Sequence, residues 1–125
     1  MLGDIDPMAT LAVKDVKRAR KFYEDVLGLK PARVEEPHMV SYQSGKSTIL
    51  VYVSSSAGTN KATAVTWVVG EELEKIVSAL KAKGAKFEHY DMPQATLKGD
   101  VHVMGKTRNA WLKDPDGNIL SLVNG

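Results

Sequence analysis

The sequence repeats one order of structural elements, and this repeat constrains the fold more than any other feature. Each copy has a strand-like run, a helical pattern and then three strand-like runs, at about 8–54 and about 62–123. The helical patterns end at Gly28 and Gly84, and the loop-like stretch 55–61 links the copies. Two copies are too few for a solenoid, so we expect one domain whose two sheets enclose a concave space.

Apolar spacing places the helices and strands within each copy. Asp15 is expected to cap a helix that runs to about Leu27, and a second helix is expected over about 70–83. Residues 92–106 are predicted to form a long loop, and loops of this length in small domains are often functional. The predicted strands are 8–13, 30–35, 38–43, 47–54, 62–69, 85–91, 107–113 and 118–123.

The stretch 111–123 predicts a hairpin near the end of the chain. Pro115 presets φ for a turn, Asp114 can accept hydrogen bonds from the backbone of that turn, and Gly117 supplies a left-handed conformation. The residues on both sides of the turn are mainly apolar, as expected for two paired strands.

Composition excludes several classes of function. The 17 basic and 15 acidic residues give a net charge of +2, without the basic excess typical of nucleic-acid binding proteins. Without cysteine, the chain forms no disulfide, thiolate metal site or cysteine nucleophile. We predict no signal peptide and no membrane span, and we expect a cytoplasmic protein.

Three segments carry a resemblance to a known superfamily: 11–29, 80–87 and the hairpin segment 113–122, which contains Asp-Pro-Asp-Gly-Asn. In these segments the chain resembles the vicinal oxygen chelate superfamily, which includes glyoxalase I, bleomycin-resistance proteins and extradiol dioxygenases. The resemblance implies an α+β fold of two tandem βαβββ modules, whose curled mixed sheets enclose a cavity for a small molecule. It also implies a homodimer.

The resemblance implies four metal-ligand positions, and this sequence departs from the pattern at each of them. The metal-dependent members place His, Gln or Glu at these positions, which here fall at Met8, Val51 (or the adjacent Tyr52), Ala64 (or the adjacent Val65) and Ser121. None of these side chains is a good ligand for a divalent metal. We therefore expect no metal and no other cofactor, which argues against metal-dependent isomerisation and dioxygenation.

Aromatic and methionine side chains are the candidates for a ligand pocket. Each aromatic candidate lies on a predicted strand, and the methionines lie on or beside segments expected at the cavity rim. Such side chains form adaptable apolar pockets, but they also fill ordinary cores. The candidates are Tyr42, Tyr52, Trp67, Trp111, Met39, Met92 and Met104.

One histidine is the candidate for acid–base chemistry. His102 is predicted to lie in the long loop, where it could act with Glu35 or Asp100 at the cavity mouth. The alternative for each of the three histidines is a solvent-facing or rim position without chemistry.

Three functions stay open from the sequence. The leading hypothesis is a metal-free protein that binds a small aromatic or amphipathic molecule. The second is an enzyme of the same superfamily, a lyase, isomerase or dioxygenase with an unusual metal site or none. The third is an interaction subunit whose cavity is vestigial.

Overall fold

Two sheets and two helices make up the protein, in a computed structural model that describes residues 1–125. The residues group into unit 1, which holds 1–61 and 114–118, and unit 2, which holds 62–113 and 119–125. The predicted mixed α+β class is confirmed. Neither helix has the length and apolar character that a bilayer span requires.

Unit 1 contains a four-stranded sheet with one parallel pair. The strand order is β1-β4-β3-β2, with β1 parallel to β4 and the other pairs antiparallel. The strands are β1 (Ala9–Val13), β2 (Lys30–Glu35), β3 (Met39–Ser44) and β4 (Ser47–Val53). A short 3-10 turn at Leu2–Asp4 precedes β1.

The helical segment of unit 1 has the predicted extent, but only its first part is α-helical. Helix α1 (Val16–Arg20) starts at the expected cap, where Asp15 Oδ1 accepts hydrogen bonds from the backbone N–H groups of Lys17 and Arg18. It then widens into a π-helical turn over Lys21–Val26. Early basic and late acidic residues oppose the helix dipole, so this segment depends on packing and on side-chain contacts such as the Arg20–Glu24 ion pair.

One face of this sheet is buried with the helical segment, and the other face is more open. The buried side chains alternate along the strands, as the two-residue period requires. The core residues of this face and of the helical segment are Leu11, Val13, Val16, Ala19, Tyr23, Val40, Tyr42, Ile49 and Val51.

The turn Asp114–Asn118 belongs to unit 1, and the carboxylate of Asp114 organises it. Asp114 Oδ1 accepts hydrogen bonds from the backbone N–H groups of Asp116 (2.9 Å) and Asn118 (2.8 Å). Oδ2 accepts from the Tyr23 hydroxyl and from Asn118 Nδ2, both at 2.7 Å. Gly117 has a φ of 88°, so the predicted capping carboxylate and left-handed glycine are both confirmed.

Unit 2 contains one helix and a six-stranded sheet. The path through the sheet is β5-β10-β9-β8-β7, and β6 pairs with the same side of β9 as β8. Helix α2 (Leu73–Ala82) follows a 3-10 turn at Gly70–Glu72. The strands are β5 (Thr63–Val68), β6 (Phe87–Glu88), β7 (Thr96–Lys98), β8 (Val101–Met104), β9 (Thr107–Lys113) and β10 (Ile119–Val123).

The predicted loop at 92–106 is wrong, because it contains the hairpin of β7 and β8. Thr96, Leu97 and Lys98 pair with Val103, His102 and Val101 in an antiparallel ladder. Gly99 has a φ of 62°, which suits the tight two-residue turn that it forms with Asp100. His102 is therefore a strand residue and not a loop residue.

The two faces of the unit 2 sheet have different surroundings. Leu73 and Val77 of α2 pack against one face, in a core cluster with Val101, Ala110 and Leu122. Alternation along the strands then places a second set of side chains on the face away from α2. We call this the open face of unit 2, and define it by Leu97, His102, Met104, Asn109, Trp111 and Ser121.

Asp114→Asn tests how far the turn depends on one carboxylate. The substitution replaces one carboxylate oxygen, which accepts hydrogen bonds, with an NH₂ group, which donates them, while the four groups around it are all donors. We therefore expect the free energy of unfolding to fall by about 2–3 kcal/mol in urea denaturation. Asp25→Asn is the control, because Asp25 is exposed, and it should change that free energy by less than about 0.5 kcal/mol. Equal effects of the two substitutions would show that the carboxylate network does not stabilise unit 1.

Candidate ligand-binding site

His102 is the most buried titratable side chain on the open face of unit 2. The residue is 2% exposed, and its Nε2 accepts a hydrogen bond from the backbone N–H of Tyr90 at 2.9 Å. An imidazole nitrogen that accepts carries no proton, so the proton lies on Nδ1. Nδ1 is buried and makes no hydrogen bond, which leaves an N–H donor without an acceptor.

Aromatic rings surround this histidine. The Trp111 ring lies edge-on to His102, with 5.0 Å between ring centres, and edge-on to Tyr90 at 5.4 Å. The Tyr90 ring lies 6.1 Å from His102, and its hydroxyl is also buried without a hydrogen-bond partner. Burial is the main reason that the pKa of Tyr90 is raised, with a further contribution from the charge of Glu88. Two polar groups are thus unsatisfied within one aromatic cluster.

A recess of about 290 Å³ opens beside these rings. Apolar side chains from the segment between β6 and β8 form much of its wall, and the polar groups come from both ends of that segment. Its lining residues are His89, Tyr90, Asp91, Met92, Ala95, Leu97 and His102.

A second histidine at the recess is held by a carboxylate. His89 Nε2 lies 2.8 Å from Asp100 Oδ1, and Lys81 Nζ of α2 lies 2.7 Å from Asp100 Oδ2. The hydrogen bonds from Lys81 and His89 lower the pKa of Asp100, which keeps it ionised. An ionised carboxylate can only accept, so Nε2 of His89 carries a proton and donates it to Asp100.

The structure brings some of the predicted unit 2 residues together and separates another. His102, Trp111 and Met92 meet at or beside the recess, and Met104 follows two residues after His102 on the same open face. Trp67 instead packs against the core cluster on the α2 side. Its place in β5, with Leu122 as its cross-strand partner, directs it to that side and removes it from the recess.

The predicted unit 1 residues do not form a comparable cluster. Tyr42 is fully buried on the helix side, where its hydroxyl donates to Glu24 at 2.9 Å, so its ligand-binding assignment is withdrawn. Met39 and Tyr52 are cross-strand partners on the opposite face of that sheet. Glu35 is exposed and its carboxylate forms an ion pair with Arg33, while its carbonyl oxygen accepts a hydrogen bond from the backbone N–H of His38 at 2.7 Å.

Sequence reasoning missed Tyr90 and the pairing of His89 with Asp100. The available signal was the turn glycine Gly99, which predicts a β7–β8 hairpin that returns His102 toward the residues preceding the loop. Once that hairpin is recognised, His89, Tyr90 and His102 fall at one end of the sheet.

A sequence profile of the glyoxalase/bleomycin resistance protein/dioxygenase superfamily matches residues 5–122. The chain belongs to this superfamily. No curated protein matches it significantly. The predicted resemblance is therefore confirmed at the level of the superfamily.

Solved structures of the superfamily show the same fold. The fosfomycin resistance protein FosX from Listeria monocytogenes superposes with a TM-score of 0.73 at 17% identity, over 95% of this chain and 91% of that one. Lactoylglutathione lyase from Agrobacterium tumefaciens superposes with a TM-score of 0.69 at 17% sequence identity, over 93% of this chain and 90% of that one. A glyoxalase/bleomycin resistance protein/dioxygenase from Alicyclobacillus acidocaldarius superposes with a TM-score of 0.71 at 17% sequence identity, over 94% of this chain and 89% of that one. At these identities the likeness shows the fold alone.

The side chains at the superfamily's metal positions do not fit a divalent metal. Met8 offers an exposed thioether, Val51 is buried on the helix side, and Ala64 has no donor atom. The Ser121 hydroxyl already donates a hydrogen bond to Asn109 Oδ1 at 3.0 Å. No group of three His, Asp or Glu side chains in the chain could hold a metal ion. These four positions therefore do not supply a donor set for a divalent metal.

Tyr90→Phe tests whether the hydroxyl of Tyr90 is unsatisfied. We expect the free energy of unfolding to rise by up to about 1 kcal/mol in urea denaturation, because the substitution removes a buried polar group without breaking a hydrogen bond. The matched control is Tyr42→Phe, which loses the bond to Glu24 and should lower that free energy by about 1 kcal/mol. A fall for both variants would mean that Tyr90 has a partner.

Proposed function

We propose that this superfamily member binds a small, flat aromatic molecule that carries a carbonyl group, without a resident metal, at the recess of unit 2. The observation that carries the proposal is the unsatisfied Nδ1–H of His102, buried among the rings of Tyr90 and Trp111. An unpaired buried donor costs about 1–3 kcal/mol, and a ligand acceptor would recover this free energy.

The shape and chemistry of the recess support a flat, largely apolar ligand. Aromatic rings offer broad faces and edges to another ring, and Met92 is a flexible side chain that can move aside to admit a ligand to the buried nitrogen. Leu97 is 44% exposed at the same recess and adds a second movable apolar wall. A carbonyl oxygen is a pure acceptor, so it matches the two unsatisfied donors, His102 Nδ1–H and the Tyr90 hydroxyl.

Binding of acetophenone, with 2-phenylpropene as its matched control, tests the proposal. The two molecules have the same flat shape, but 2-phenylpropene has a methylene group in place of the carbonyl oxygen. We expect calorimetric titration to show at least about tenfold tighter binding of acetophenone, because about 1.4 kcal/mol from one recovered hydrogen bond corresponds to tenfold in Kd.

His102→Phe should reduce this preference to less than about twofold, because the ring is retained and the donor is lost. A thermal melt of the variant shows whether it stays folded, and the comparison of the two ligands on the unaltered protein does not depend on any variant. Equal affinities for the two molecules, or no saturable binding of acetophenone, would contradict the proposal.

Calorimetric titration with Zn²⁺, Ni²⁺, Mn²⁺ and Fe²⁺ tests the absence of a resident metal. The protein should carry no tag and should first be treated with a chelator. We expect no one-to-one binding at micromolar concentrations, because the four superfamily positions lack carboxylate, imidazole and amide donors. Any weak Zn²⁺ binding that disappears in His89→Gln would come from the recess and would leave the expectation intact. One tightly bound metal per chain that persists in His89→Gln would contradict it.

A further inference from the structure

We propose that residues 89–95 form a movable strap over the recess of unit 2, and that Asp100 holds this strap closed and sets how fast a ligand passes it. The strap runs from the end of β6 to the start of β7, and it supplies most of the side chains that line the recess. This inference rests on the proposed function, because it concerns access to the two donors that the ligand is expected to meet.

The strap is attached to the rest of unit 2 through side chains. Neither β6 nor β7 extends into it, and the backbone N–H of Ala95 bonds within the strap, to the carbonyl oxygen of Met92 at 3.0 Å. The backbone N–H of Tyr90 donates to a side chain, His102 Nε2, at 2.9 Å. Segments held in this way open at a lower free energy than paired strands do.

Asp100 joins the strap to the β7–β8 turn and to helix α2. Its Oδ1 lies 2.8 Å from His89 Nε2, and its Oδ2 lies 2.7 Å from Lys81 Nζ. The hydrogen bonds from Lys81 and His89 lower the pKa of Asp100, so the carboxylate is ionised. Hydrogen bonds to an ionised group are stronger than those between neutral groups. We call this three-residue contact of Lys81, Asp100 and His89 the latch.

The strap covers the donors that the ligand is expected to reach. Tyr90 is a strap residue, its ring lies 6.1 Å from that of His102, and both the Tyr90 hydroxyl and His102 Nδ1 are buried. A molecule in the recess therefore meets the walls before it meets either donor. Outward movement of the strap separates Tyr90 from His102, so it uncovers both donors in one step.

The latch acts on the rates of binding and leaves the affinity unchanged. It is intact in the empty recess, and it forms again when the strap closes over a ligand. Breaking the latch therefore raises the free energies of the empty and the occupied closed states equally, relative to the open state between them. Association and dissociation of the ligand should accelerate by the same factor, as expected when opening limits both steps.

Hydrogen exchange of the ligand-free protein, followed residue by residue by NMR, tests the strap and its latch. The backbone N–H of Tyr90 is the reporter, because its bond to His102 Nε2 breaks when the strap opens. We expect Asp100→Ala to speed the exchange of this amide about tenfold and to leave the amides of β9 unchanged.

A second variant and a matched control keep this test independent of one substitution. Lys81→Met removes only the contact with α2, so it should speed the exchange of Tyr90 by a smaller factor, and it decides the test if a thermal melt shows that Asp100→Ala is unfolded. Glu71→Gln is the control, because it breaks an ion pair with Arg108 that also joins the α2 region to the sheet. It should leave the exchange of Tyr90 unchanged.

Proton NMR line shapes in a titration with acetophenone test the effect on a ligand. They give the association rate, the dissociation rate and Kd. We expect Asp100→Ala to raise both rates about tenfold and to change Kd by less than about twofold, because the latch is intact with and without the ligand. Glu71→Gln should change none of the three quantities.

The outcomes separate this inference from the proposed function. Unchanged exchange of Tyr90 in both latch variants would overturn the inference, whatever acetophenone does. Weaker acetophenone binding at an unchanged association rate in Asp100→Ala would also overturn it, because Asp100 would then support the bound ligand and not its passage. Absence of acetophenone binding would overturn the proposed function, and the exchange of Tyr90 would still decide whether Asp100 holds the strap.

Discussion

The carboxylate of Asp114 is the group on which unit 1 depends most. It is buried, and it satisfies four donors at once, among them the hydroxyl of Tyr23 at the centre of the helix-side core. Tyr23 in turn stacks on Tyr42, whose hydroxyl reaches Glu24 and, through it, Arg20. A polar chain thus runs through an apolar core with its hydrogen bonds made, which avoids the desolvation cost of isolated buried polar groups and fixes their geometry.

The recess of unit 2 differs from the Asp114 network, because it contains buried donors without hydrogen-bond partners. Its two buried donors, His102 Nδ1–H and the Tyr90 hydroxyl, have no acceptor, although His102 lies in the paired strand β8 and the backbone N–H of Tyr90 donates to His102 Nε2. These two unsatisfied groups carry a local cost to stability, and Asp116 Oδ2 in unit 1 is also buried without a hydrogen-bond partner. Such costs concentrate at binding sites, where a ligand offsets them.

The sequence predicted the elements of the fold well, because glycines and apolar periods set them locally. Gly28, Gly84 and Gly117 adopt the expected left-handed conformations, and the strand 107–113 has the predicted bounds. The site was predicted only in part. His102 and Trp111 were candidates, but whether Tyr42 and Trp67 face a core or a pocket depends on strand register, which one sequence does not reveal. Tyr90 was missed because the feature that distinguishes it is a buried hydroxyl without a hydrogen-bond partner, which a sequence does not show.

The membership of residues 114–118 in unit 1 has a consequence for how the protein is made. Their partners Lys14, Arg18 and Tyr23 lie about ninety to one hundred positions earlier in the chain, as the sequence separations of their hydrogen bonds show. During synthesis, unit 1 cannot complete its hydrogen-bond network until residues 114–118 have left the ribosome. Until then the Tyr23 hydroxyl lacks its acceptor, so residues 1–61 stay open to chaperones and proteases while the fifty-odd residues that separate them from the turn are made.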